Sequence, residues 1–210
     1  MQTPLTQLPG YKVYEYLLIL NPHQELSERI VGLKKEFNTK FNRTGYVTKP
    51  NISIVKFTQY ELYEKRIREN LHRVAMEMKP FKIELKDYGS FPTHTIFINV
   101  TSKLPFQLLA KKVRTETQKL MKFDDDHKPH FFMEPYIPVA QKISQQTYDK
   151  AWLEYSHRHF TGRFIVDDML LLKRPLGEFG YQIAERFKLE NLAVPSISQG
   201  SLFDELQQTG

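Results

Sequence analysis

The chain has 210 residues, 40% of them hydrophobic and 26% charged, which suits one globular unit with a continuous core and excludes global disorder. It has no cysteine, which excludes disulfides, thiolate nucleophiles and thiolate metal sites. A formal charge of +6 favours polyanionic partners, although the basic residues are spread along the chain and form no single block.

Tyr11 to Leu20 is apolar on both faces, the pattern of a central strand buried on both sides. Its core, Tyr16 to Leu20, is too short to cross a bilayer. Met1 to Gly10 lacks the basic residue and apolar run of a secretory signal. A cytoplasmic protein without a membrane partner is therefore expected. Pro22 opens a helix with Leu26, Ile30, Leu33, Phe37 and Phe41 on one stripe, ended by Asn42 to Gly45. Asn51 to Phe57 alternates, with Ile52 and Ile54 on one face and Asn51, Ser53, Val55 and Phe57 on the other.

A second helix is expected over Tyr60 to Met78, on the stripe Tyr63, Ile67, Leu71, Val74 and Met78. Two strands, Phe81 to Tyr88 and Thr95 to Val100, follow around a turn at Gly89-Ser90-Phe91-Pro92. A third helix runs over Pro105 to Lys122, then a polar loop over Phe123 to Pro129. His130 to Ala140 reads as one strand, made awkward by Pro135 and Pro138, which lack ladder donors. Ser144 is a candidate N-cap for a fourth helix through His159. Phe164 to Lys173 and Tyr181 to Leu189 form a closing hairpin. Residues 1–189 thus read as a single bilobal domain, expected to be monomeric, and residues 190–210 as a polar, loosely held tail.

The element order is nearly one unit written twice, which fits two strand-and-helix lobes facing each other across a groove. In the first half, Lys49-Pro50-Asn51-Ile52-Ser53 sets Asn51 and Ser53 side by side on one strand face. Pro135-Tyr136-Ile137-Pro138 occupies the matching place in the second half, 85 residues later.

With these segments the chain resembles the two-histidine phosphoesterase superfamily, which includes the 2′-5′ RNA ligase-like proteins and cyclic phosphodiesterases. Its mark is a Pro-His-x-Thr/Ser strand that occurs twice. The resemblance covers about Tyr11 to Leu189 and implies an α+β fold, two antiparallel-sheet lobes with outer helices around a central groove. It also implies a phosphorylated ligand, an RNA end or nucleotide, and no cofactor. In that family one histidine is the general base and the other the general acid, and the hydroxyl residue binds phosphoryl oxygens. Here Asn51 stands for the first histidine, with Ser53 as the retained hydroxyl. Tyr136 stands for the second, with Pro138 in the hydroxyl position. An amide exchanges no proton near neutrality and a phenol does so poorly. The resemblance therefore implies a ligand-binding protein with impaired catalysis.

An alternative alignment takes Pro129-His130-Phe131-Phe132 as the second motif and keeps one histidine. Under it, or with Tyr136 as an unusual proton donor, the chain is an active phosphodiesterase or ligase. The plainest reading is that Asn51 makes turn chemistry and Tyr136 packs as an aromatic. His127 and His130, and His157 and His159, lack a third ligand, so no metal site is expected. His157, Arg158 and Arg163 are candidates for lining the groove. Lys65, Arg66, Arg68 and Arg73 read as a solvated helix face. Finally, Gln199-Gly200-Ser201-Leu202-Phe203 resembles the peptide by which bacterial DNA-maintenance proteins dock on the sliding clamp. Gln199, Leu202 and Phe203 are its candidate anchors.

Overall fold

The computed structural model describes residues 10–192, and within them the chain builds two antiparallel sheets. In chain order the elements are β1 (Val13–Leu20), α1 (Gln24–Lys40), β2 (Ile52–Tyr60), α2 (Glu64–Glu77), β3 (Phe81–Phe91), β4 (Thr95–Val100), α3 (Lys103–Met121), β5 (His130–Phe131), β6 (Tyr136–Gln141), α4 (Gln145–Tyr155), β7 (Thr161–Val166), β8 (Asp168–Pro175) and β9 (Gln182–Lys188). The five-stranded sheet has the order β5-β2-β1-β8-β9 and the four-stranded sheet β6-β4-β3-β7. Helices α2 and α3 cover the first, and α1 and α4 the second. The α+β, two-lobed architecture is the one read from the sequence. No helix among the described residues is long and apolar enough to cross a membrane.

Strand β1 is central because both of its faces are occupied. Tyr16, Leu18 and Leu20 are fully buried under the helices, while Glu15, Leu17 and Ile19 face the other way. Tyr16 stacks on Phe57 with ring centroids 4.9 Å apart, and its hydroxyl donates to Glu64 on α2 at 3.0 Å. Burial and the Glu64 carboxylate push that phenol's pKa well up, so it remains a donor. Lys173 on β8 reaches the same carboxylate at 2.8 Å, which ties two strands and a helix to one buried group. Gln59 on β2 donates to the carbonyls of Leu120 and Lys122, at 2.8 and 3.0 Å, and so caps the C-terminal end of α3.

Helix α1 starts at His23, whose ring accepts from Leu26 N–H at 3.3 Å, and buries Leu26, Ile30 and Phe37. The same stripe buries Lys34. The Ser144 N-cap of α4 is as expected, with Thr147 N–H donating to its hydroxyl at 3.3 Å.

Five expectations need correction. First, β2 does not alternate cleanly: Val55 pairs with Leu18 and Ser53 with Ile19, so a bulge at Ile54 turns Val55 and Phe57 into the core. Second, β3 runs on through Gly89, Ser90 and Phe91, which pair with Phe97, Ile96 and Thr95. Gly89 is a close-approach residue in a strand, since an added Cβ would lie 2.4 Å from Asn99 Oδ1 and 2.6 Å from the Phe97 ring. Third, His130 to Ala140 is two strands in different sheets, β5 on β2 and β6 on β4, separated where Pro135 breaks the ladder. Fourth, Phe164 to Lys173 likewise divides at Asp167. Apolar residues flank Asp167-Asp168 on both sides, but β7 pairs with β3 and β8 with β1. Fifth, the start of the tail is held: Glu190, Asn191 and Leu192 N–H groups bond to carbonyls at the end of α2, at 3.2, 3.1 and 2.7 Å.

Two stability changes follow. Gly89→Ala drives a methyl into Asn99 and Phe97 and is expected to cost about 1–3 kcal/mol, read as a lowered denaturation midpoint. Burial pushes the Lys34 pKa from its ordinary 10.5 down to about 8. Between those values the unfolded chain holds a proton the native state has released, so native stability climbs with pH across that window. Lys34→Met is expected to abolish that climb and to stabilise the chain at pH 7 by about 1–3 kcal/mol, measured by denaturant titration of both chains.

Candidate functional site

A cavity of about 640 Å³ lies between the groove faces of the two sheets. Its floor is the five-stranded sheet. Ser53, Ile19 and Leu170 form one cross-strand row, and Leu17, Leu172 and Ile183 the next, because paired residues point to the same face. The opposite wall is β6, which presents Tyr136, Pro138 and Gln141. Lys34 enters from α1, and Thr48, Lys49 and Asn51 from the loop leading into β2. Phe132 and Glu134 come from the segment that carries the chain from one sheet to the other.

Asn51, Ser53, Tyr136 and Pro138 are thus brought to one cavity from two lobes. The two strands share a local device. In β2 the bulged residue, Ile54, follows Ser53; in β6 it is Val139, which follows Pro138. A bulge re-aims the neighbouring side chain and relaxes the ladder, which is why an edge strand accepts Pro138 there.

The polar groups are donors of modest acidity. Asn51 folds back on its own strand, donating to Lys49 O at 3.3 Å and accepting from the Ser53 hydroxyl at 3.4 Å. Tyr136 is half-buried against Phe97 and Phe91, with centroids 4.9 and 5.1 Å away. Burial pushes its phenol pKa up, so it stays protonated at neutral pH. Glu134, the cavity's carboxylate, is engaged by Lys103 at 2.6 Å and Gln107 at 3.2 Å. Asn21 Oδ1, also in the wall, is buried and has no protein partner among the described residues. No imidazole lines the cavity among the described residues.

The remaining sequence candidates lie elsewhere. His130 is exposed on β5, packed edge-on against Phe132 at 4.5 Å, and is not part of the cavity wall. His127 bonds to Asp124 at 2.8 Å, closing the acidic loop on itself. His157, Arg158 and Arg163 do not line the groove: Arg158 pairs with Glu36 at 2.9 Å over the Tyr155 ring, and Arg163 borders a shallow depression beside Glu84. No group of three or more metal-binding side chains occurs among the described residues. Gln199, Leu202 and Phe203 lie outside the described residues. Lys34 is not among the residues expected from the sequence, although a lysine between Ile30 and Phe37 on an apolar stripe is a visible signal. Nor are the floor residues, which the strand pairing brings together.

No curated protein matches the sequence. Among solved structures, E. coli LigT complexed with NADP+ aligns with a TM-score of 0.65 at 13% identity, covering 86% of this chain and 99% of that one. TT0787 of Thermus thermophilus aligns with a TM-score of 0.60 at 17% identity, covering 84% and 98%. A structure described as a phosphoesterase aligns with a TM-score of 0.63 at 14% identity, covering 83% and 97%. At these identities the likeness concerns the fold. A family profile described as the 2′-5′ RNA ligase superfamily matches residues 22–178. That span takes in most of the chain and both cavity strands, so the chain belongs to the 2′-5′ RNA ligase superfamily, the two-histidine phosphoesterases.

Proposed function

We propose that this protein binds a phosphorylated ligand, an RNA end or a nucleotide, in the cavity between its sheets, without the paired-imidazole catalysis of its family. One observation carries the reading: Asn51 and Ser53 from one lobe meet Tyr136 and Pro138 from the other, and no imidazole stands among them. The site has the donors a phosphate needs: an amide, a hydroxyl and a phenol held protonated. It lacks a pair of groups that exchange protons near pH 7. Loss of general acid or base help costs about 10²- to 10⁴-fold for each group, and the two losses overlap where the groups act as a unit. The ligand class draws support from relatives, since E. coli LigT has been solved with 3′-AMP, ATP and NADP+.

The active-enzyme reading is less well supported. It needs Tyr136 or His130 to move a proton. The first is pushed away from neutrality, and the second stands outside the cavity.

The test is turnover of RNA ending in a 2′,3′-cyclic phosphate, by the native chain and by Asn51→His/Tyr136→His/Pro138→Thr. The expected result is silence from the native chain and hydrolysis by the variant. Native turnover that Tyr136→Phe abolishes would make the chain an enzyme with a phenolic proton donor and sink the proposal.

The clamp peptide stands as a separate proposal resting on sequence alone. Deleting residues 199–210 is expected to remove binding to a purified bacterial sliding clamp, and leave the denaturation midpoint unchanged. Undiminished binding would end it.

A further inference from the structure

Lys34 is a buried cation in the cavity wall, where the rest of its helix stripe is apolar. It is 6% exposed, between Ile30 and Phe37 on the buried stripe of α1. Its ammonium donates to Thr48 O at 3.1 Å and Thr48 Oγ1 at 3.4 Å, and no carboxylate pairs with it among the described residues. An ammonium has three donors, so one is left uncommitted. A charge buried this way is expensive unless something anionic answers it.

Its position says what that is. The main cavity and a smaller one of about 190 Å³ share Lys34, Thr48, Pro138 and Gln141, so Lys34 stands at their junction. The other charged groups that line these cavities are Lys49 and Glu134 in the main one and Arg43 in the smaller one. Glu134 is already taken by Lys103. Arg43 donates to Gln141 O at 3.0 Å, a neutral acceptor that leaves its charge unopposed among the described residues. Tyr136, Tyr181 and Tyr46 are the other titratable groups lining the two cavities. The balance around Lys34 is positive and rich in donors.

We propose that Lys34 is the anion-recognising group of this site, donating to a phosphate oxygen of the ligand at the junction of the two cavities. The inference rests on the ligand-binding reading above and adds the charge that reading lacked. Asn51 and Ser53 then supply orientation, and Lys34 supplies the Coulombic attraction that paired imidazoles would otherwise share. An anion beside Lys34 also stabilises its protonated form, so binding draws a proton from solution wherever the free amine is partly neutral.

Calorimetric titration of the full chain with 2′,3′-cyclic AMP tests this. That phosphodiester carries no titrating phosphate proton near pH 8. At pH 8 and low salt, in two buffers of different ionisation enthalpy, the native chain is expected to take up a substantial fraction of a proton per ligand bound. At pH 6.5 it takes up none. Lys34→Met is expected to weaken binding at least about tenfold and to abolish the uptake. Lys34→Arg should hold affinity within a few-fold and also show no uptake, because a guanidinium stays charged throughout. Binding by the native chain without uptake, with Lys34→Met within twofold of it, would overturn the role of Lys34 and leave the ligand-binding reading standing. No binding of 2′,3′-cyclic AMP or 3′-AMP by the native chain would overturn both.

Discussion

The structure depends on two passages in which the chain crosses from one sheet to the other directly, with no helix between the strands. After β5 pairs with β2, Phe132 N–H makes one last bond to Ile54 O at 2.9 Å, and the chain then passes through Pro135 into β6 of the other sheet. It returns at Asp167, between β7 and β8, where the Asp167 carbonyl accepts from Leu189 N–H at 2.8 Å. These two passages hold the sheets face to face, so each must keep one face for its helices and turn the other inward. The cavity is what remains between those inner faces. The first passage contributes Phe132 and Glu134 to its wall directly.

From this constraint the chemistry follows. The floor is apolar because β1 and β8 present Leu17, Ile19, Leu170 and Leu172 on a face that a neighbouring lobe largely covers. Polar groups enter around that floor, at Asn51, Ser53 and Tyr136 where strands begin or bulge, from the loops that carry Thr48, Lys49 and Glu134, and where α1 admits Lys34. An apolar floor with a few convergent donors suits a ligand with a flat organic body and an anionic end. It suits paired proton transfer poorly, because Asn51 does not ionise near neutrality, burial pushes the Tyr136 phenol further up, and no imidazole lines the cavity among the described residues. Lys34, with its pKa near 8, stands apart from them.

Much of this was legible in the sequence. The helices announced themselves through stripes of three and four, and β1 through the apolar run Tyr16 to Leu20. That Asn51, Ser53, Tyr136 and Pro138 line one cavity was foreshadowed because each pair sits two residues apart on a strand, in matching places of two similar halves. The passages between sheets were not. Phe164 to Lys173 carries apolar residues on both sides of Asp167-Asp168, and two acidic residues inside such a run mark a break without saying that the strand beyond it joins another sheet. The bulges at Ile54 and Val139 were hidden for a related reason: an extra residue in a strand shows only against its partner. Gly89 misled because glycine serves turns and close packing alike. Lys34 was legible as an oddity on an apolar stripe, but its meaning required knowing that α1 crosses to the other lobe and looks into the cavity.

The most direct test of a phosphate site between the lobes is a nuclear magnetic resonance titration of the full ¹⁵N-labelled chain with 3′-AMP at low salt. The expected result is saturable shifts of the Asn51, Ser53 and Tyr136 amides, with the outer surfaces of α2 and α3 unmoved. Shifts confined to those outer helices, or none at all, would contradict it.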